Sequence, residues 1–306
     1  MKRKFYGDFE TCSRTDLRKV GTIRYARDSS TFIQCLGAGA VGAAIECFTQ
    51  EQIENTASDA RRYLTALAND PDVLFVFHNA FFDRNIWHWI MHVQLGYPDV
   101  PLERWRCTMA KAYKYALPGQ LKGAAKALEL TAQKNLAGHA SMLKLCRPFP
   151  KPTYYCAAHP TPTIKRCCEV ANVIEFYTPE IFPDIFVDHY QYCKDDIAAM
   201  MDLDAALPDL SAKQQRVWQM DQRLNDRGVL IDMPLVEKAI ALVSAYKSEY
   251  VGEYQQITER DIKPTQRGEL VKWLNAQNIF VPNTKKSTLK PMLGSGRFIN
   301  EVCLLY

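Results

Sequence analysis

The chain has 306 residues, of which 47% are hydrophobic, 24% charged and 11% aromatic; with 14 glycines and 16 prolines, this composition excludes fibrous, collagen-like and disordered classes. No apolar run approaches the roughly 18 to 20 residues needed to cross a bilayer, so no membrane partner is expected. The net charge of +4 permits a nucleic-acid partner without demanding one.

Met1-Lys2-Arg3-Lys4 leads straight into Phe5-Tyr6-Gly7-Asp8, without the apolar centre of a signal peptide. A cytoplasmic protein with its 10 cysteines reduced is therefore expected. Residues 5–10 read as a short strand, and 31–36 and 43–48 as two more, with the small residues 37–42 between them. The apolar spacing over 50–67 predicts one helix, stopped by Asp70-Pro71-Asp72, and 73–77 form a fully buried strand. A helix over 82–95, a fifth strand over 104–108 and short helices over 109–116, 120–130 and 140–145 follow. Residues 147–184 hold seven of the 16 prolines and read as an irregular connection.

Pro183 and Pro208 bracket a long helix over 185–207, and a domain boundary is placed after it, giving domains at 1–207 and 208–306. The second part opens with a helix over 212–226 broken by Gly228, then a short strand over 229–232 and helices over 233–257 and 266–276. Lys263, Arg267, Lys272, Lys285, Lys286, Lys290 and Arg297 gather near the C-terminus, as a solvated surface or as phosphate contacts.

Three small patterns carry chemistry. Asp8 and Glu10 are two apart on a strand, so both side chains leave the same face and can share a cation. Asp83 follows the buried strand through His78-Asn79-Ala80-Phe81-Phe82 and falls in the first turn of the next helix, where a plain cap is the bland alternative. Tyr192 and Asp196 are four apart on one face of the long helix, and only Asp196, not Asp195, has that spacing.

Strand-borne Asp-x-Glu, strand-end Asn-x-x-x-Asp and helix-borne Tyr-x-x-x-Asp, in this order, resemble the tyrosine-bearing DEDDy branch of the 3′-5′ exonucleases. The chain is most similar to the proofreading domain of phage family A (polymerase-I-like) DNA polymerases, an enzyme of DNA replication. The likeness extends to Asp8-Phe9-Glu10-Thr11, Leu17 to Gly21, Tyr25-Ala26, Cys107-Thr108, Leu117-Pro118-Gly119-Gln120-Leu121 and the segment 134–148. Gln214 to Asp232 further resembles the stretch leading from exonuclease to polymerase. Where the histidine-bearing branch has its histidine, five residues before the last aspartate, this chain has Gln191.

The resemblance implies a ribonuclease-H-like α/β fold, a mixed sheet flanked by helices and followed by a mostly helical C-terminal segment. It implies two divalent ions, Mg²⁺ or Mn²⁺, with Asp8 shared, Glu10 and Asp196 completing one site and Asp83 the other. Tyr192 is expected to orient the attacking water, and the product to be a nucleoside 5′-monophosphate. Phe9, Thr11, Asn79 and Phe82 are the expected substrate contacts, with core packing the competing role for at least one of the aromatic residues. Single-stranded DNA or a frayed 3′ end is the expected partner. No palm or fingers motif fits before Tyr306, so no polymerase site is expected, and a separate polymerase chain served in trans stays open as a further partner. An exoribonuclease and a noncatalytic polymerase-docking subunit are the alternatives. Cys156, His159, Cys167 and Cys168 form a poor zinc pattern, because adjacent cysteines do not readily take two tetrahedral positions.

Overall fold

The protein is described from a computed structural model over residues 2–130, 142–263 and 265–293. Strand β1 (Arg3–Cys12) alternates its side chains, so Phe5 and Phe9 enter one core and Tyr6 enters another on the opposite face, the face shared by Asp8 and Glu10. β2 (Phe32–Gly39) runs antiparallel to it, with Asp8 opposite Gly37 and Glu10 opposite Cys35. β3 (Glu46–Thr49) is antiparallel to β2, whereas β4 (Val73–Phe77) and β5 (Trp105–Cys107) join on the other side in parallel. The resulting order, β3-β2-β1-β4-β5, is the expected ribonuclease-H-like mixed sheet.

One sheet face is covered by helices and packed with aromatic rings. Phe75 lies 5.1 Å from both Phe5 and Trp87 and 5.5 Å from Trp105, between ring centroids, in edge-on and tilted geometries that favour the ring quadrupoles. Gly7 is required there, because a Cβ would fall 2.2 Å from the ring of Phe77. Arg104, buried behind this core, donates from Nε to the Val73 carbonyl at 2.9 Å and from its other nitrogens to Leu67 and Ala68. Those last two carbonyls end α4 (Asp59–Asn69), where a cation also suits the helix dipole. The other face carries α6 (Thr108–Lys114), α7 (Leu121–Ala127) and the long α8 (Pro183–Ala206), through Ala112, Leu121, Ala124, Ile197, Met200 and Leu203.

Several expected elements differ from those observed. The single helix over 50–67 is two, α3 (Gln50–Glu54) and α4, because Asn55 and Ser58 accept hydrogen bonds from the backbone of Ala57 and Arg61 and start a new helix. The expected helix over 82–95 begins as α5 (Ala80–Ile86) and continues as a π-helical segment, Trp87–Gln94. Near the N-terminus, α1 (Leu17–Val20) and α2 (Thr22–Arg27) are short helices that the sequence reading left unassigned. The helix expected over 140–145, like most of the segment 134–148, falls partly outside the described residues.

The proline-rich connection is not irregular. It contains a second sheet, β7-β6-β8, from β6 (Thr153–Cys156), β7 (His159–Thr163) and β8 (Asn172–Ile174). Pro160 and Pro162 both lie in β7, an edge strand, where a missing N–H does not break a central ladder.

The chain divides into two compact units at Gly228/Val229, later than the boundary at residue 207. The reason is α9 (Ala212–Arg227): its Gln215 side chain donates to the Trp105 carbonyl at 3.2 Å and its Asp226 pairs with Arg84 at 2.6 Å, so the helix stays with the larger sheet. Residues 229–232 pair with no strand among the described residues, and Leu230 is 97% exposed, so the expected short strand is not formed.

The second unit contains α10 (Met233–Thr258), α11 (Arg267–Ala276) and α12 (Lys286–Leu293) around Tyr254, Leu270, Trp273, Leu274 and Leu289. The basic residues Lys263 to Lys290 named above are exposed there, with Lys272 paired to Glu269, and Arg297 lies outside the described residues. No helix of the described residues is long and apolar enough to cross a membrane.

Candidate active site

The expected acids come from three elements that the sheet brings together. Asp8 and Glu10 leave β1 on the face under α8, both half-buried, with carboxylate oxygens and the Cys193 sulfur all within 4.8 Å of one another. Asp83 sits in the first turn of α5 and is only 2% exposed, fixed to β1 by the Phe9 backbone N–H, which donates to its Oδ1 at 3.2 Å. Burial first, and the Asp8 carboxylate second, push the Asp83 carboxyl well above the usual carboxylate range. A divalent cation would relieve such crowding, and these carboxylates are groups that could hold one.

Tyr192 and Asp196 project from one face of α8, both buried. The tyrosine hydroxyl bonds the Asp196 carboxylate and lies within electrostatic reach of Glu10 and Asp8. Burial, followed by these acids, raises its pKa far above the ordinary value, so at neutral pH it stays protonated and donates. Asp195 is turned elsewhere, accepting from Gln191 Nε2 at 2.8 Å.

Glycines in β2 explain how α8 comes so close. A Cβ on Gly37 would stand 2.8 Å from Cys193 Sγ and 2.9 Å from Ile197 Cγ1, and one on Gly39 2.7 Å from Ile197 Cγ2. The sequence reading took these residues as the start of a spacer; they form the bed of the helix. The Cys193 thiol also donates to the Asp8 carbonyl at 3.6 Å. At its far end α8 is tied down by Asp204, whose carboxylate meets Lys4 at 2.7 Å, Tyr6 at 2.9 Å and the buried Lys111.

The expected substrate contacts divide. Phe9 belongs to the core, its ring stacked 6.0 Å from Phe77 and edge-on to Trp87 at 6.3 Å, and its backbone N–H reaches Asp83. Thr11 is buried and shares a 3.0 Å hydrogen bond with Tyr25. Asn79 is exposed at the start of α5 with a left-handed backbone (φ 61°), the turn-residue role. Phe82 is half-buried, 6.1 Å from Tyr25.

Two further features lie on the elements next to these residues. A cleft of about 520 Å³ on the α2 and α5 side is lined by Gly21, Arg24, Arg27 and Phe81. His78, at the end of β4, bonds Thr108 at 2.9 Å and the Gly119 carbonyl at 2.7 Å, joining that strand to the Leu117 to Leu121 motif.

Over 292 residues the chain is 28% identical to a DNA polymerase of Bacillus phage SP02, an alignment covering 94% of this chain and 40% of the phage protein. The chain thus spans about two fifths of the length of that relative. No family model matches.

Proposed function

We propose that the protein is a metal-dependent 3′-5′ exonuclease that hydrolyses single-stranded or frayed DNA ends to nucleoside 5′-monophosphates. The observation that supports this reading is the approach of Asp83 to Asp8, and of Tyr192 to Asp196, Glu10 and Asp8, from β1, α5 and α8. The similarity to a phage DNA polymerase supports DNA as the substrate and a polymerase as a partner, joined to this chain or served in trans. Residues 208–306 are then the connection toward such a partner.

When bound, two divalent ions supply charge neutralisation at the scissile phosphate and an acidified water. The chain's own part is positional. Asp8 and Glu10 present their carboxylates from a strand fixed on both sides, and Asp83 is aimed by the Phe9 N–H. Tyr192 keeps its proton and orients a water by a hydrogen bond instead of acting as a base. Arg24 and Arg27 offer positive charge to phosphates entering beside α5.

Digestion of a 5′-labelled single-stranded DNA with Mg²⁺ or Mn²⁺, beside the matching RNA, tests the reading. A ladder shortening from the 3′ end, lost with chelator and in Asp8→Ala, is expected. Degradation of RNA alone makes the enzyme an exoribonuclease, and no cleavage of either by folded, metal-replete protein overturns the assignment.

A further inference from the structure

The second sheet has almost no core of its own. Among the described residues from Thr153 to Ile174 only Thr153, Cys156 and Ala171 are buried, while Ile164, Val170 and Val173 are 64%, 71% and 62% exposed. A three-stranded sheet of this size needs a hydrophobic face or another staple to hold its strands together.

Beside the hairpin three sulfurs meet, from the buried Cys156, the half-buried Cys168 and the exposed Cys167. Cys156 Sγ is 3.6 Å from Cys167 Sγ and 3.4 Å from Cys168 Sγ, and the two adjacent cysteines are 3.8 Å apart. A disulfide requires about 2.05 Å between its sulfurs and takes thiols in pairs. Tetrahedral thiolates about 2.3 Å from a zinc ion have sulfurs about 3.8 Å apart, close to all three separations. The 3.8 Å between the adjacent cysteines is compatible with two corners of one tetrahedron, although their spacing argues against it.

We propose that Cys156, Cys167 and Cys168 bind one Zn²⁺ that cross-links β6 to the segment between β7 and β8. The ion does for this sheet what buried side chains do elsewhere, closing the 164–171 connection onto the hairpin. Four-coordinate structural sites are the rule for zinc. Three thiolates leave the fourth position to a water or another side chain.

A second group of thiols, Cys35, Cys47 and Cys193, also lies within 4.8 Å of one another and supplies the internal control. Protein produced with added zinc and purified without chelator is assayed for metal by mass spectrometry. About one zinc per chain is expected, falling severalfold or more in Cys167→Ser and Cys168→Ser and unchanged in Cys35→Ser and Cys47→Ser. Zinc-free wild type, or zinc retained in the first pair of variants and lost in the second, overturns the proposal.

Because the Cys167 and Cys168 variants can misfold, a second measurement uses wild type alone. Apo protein is treated with iodoacetamide with and without Zn²⁺, and each cysteine is followed by mass spectrometry. Protection of Cys167 and Cys168 by zinc is expected, and equal alkylation in both conditions refutes the site. Reconstitution with Co²⁺ should give the visible bands of a tetrahedral thiolate complex, and an octahedral spectrum counts against it.

Discussion

The two sheets of the larger unit are held by different means. The five-stranded sheet is packed on one face by Phe5, Phe75, Phe77, Trp87 and Trp105, all essentially inaccessible, and on the other by α8. The three-stranded sheet leaves its valines and isoleucine in solvent and gathers sulfur atoms instead. The contrast matters because the larger sheet, packed with apolar side chains on both faces, keeps Asp83 buried beside the Asp8 carboxylate. Its polar site is supported by the fold and does not support it, whereas under the zinc proposal the thiol cluster helps to hold the small sheet together.

The sharpest break between the two is expected at Asp8. Asp8→Ala should lower hydrolysis more than about 10³-fold, because it removes a shared ligand worth several kcal/mol of transition-state stabilisation. Its thermal transition without metal should not fall, since the change relieves the charge that burdens Asp83. Rate assays paired with thermal melts check this, and a melt lowered along with the rate would mean that the acid helps to hold the fold.

Phe77→Ala reverses the pattern. The ring touches Phe5, Phe9 and Trp105 and fills the space above Gly7, so its loss should cost about 3–5 kcal/mol of stability in urea unfolding. Val173→Ala in the small sheet, at a position 62% exposed, should stay within about 0.5 kcal/mol. Comparable losses from both would show that the small sheet has an apolar core after all.

Gly37→Ala lies between these extremes. The added methyl meets Cys193 and Ile197 on α8, an overpacking that typically costs about 1–3 kcal/mol. Lifting α8 also moves Tyr192 and Asp196 from Asp8, so activity should fall more than stability alone accounts for. Wild-type rates in a folded Gly37→Ala protein would show that the close approach of α8 is dispensable.

What could be read in the sequence follows the range of each interaction. Val73 to Phe77 is five consecutive apolar residues and forms the strand expected, and Pro183 starts α8 where a proline belongs. The shared faces of Asp8 with Glu10 and of Tyr192 with Asp196 were legible because strand and helix periodicities fix which side chains lie together. Partners distant along the chain were not: nothing local to Gly37 tells that α8 will lie on it, and nothing local to residues 229–232 tells that their apolar run lacks a neighbouring strand. The small sheet was hidden by its prolines, which are compatible with a strand only once β7 is known to be an edge. Phe9 and Thr11 stood beside the acids in sequence, but alternation on the strand sends Phe9 into the opposite core, and Thr11 follows a shift in the β1–β2 register.

The smallest effect concerns a polar hub in the larger unit that needs no metal. Asp28 accepts from the Ser30 hydroxyl at 2.6 Å, the Thr15 hydroxyl at 2.6 Å and the Ser30 backbone at 2.9 Å, and these donors, in that order of weight, bring its pKa down to about 2. A depressed folded-state pKa stabilises the protein above the ordinary carboxylate value, and the contribution is lost as pH falls toward and through about 2. Asp28→Asn should therefore cost a constant amount, about 1 kcal/mol or less for a group this accessible to water, above about pH 5. The gap should close progressively on acidification, as urea midpoints from pH 7 to pH 2 would reveal. A gap that instead widens at low pH would mean that the three donors stabilise the protonated acid, and would remove Asp28 as an example of hydroxyls and a backbone N–H holding one charge with only a minor contribution from a cation, Arg14.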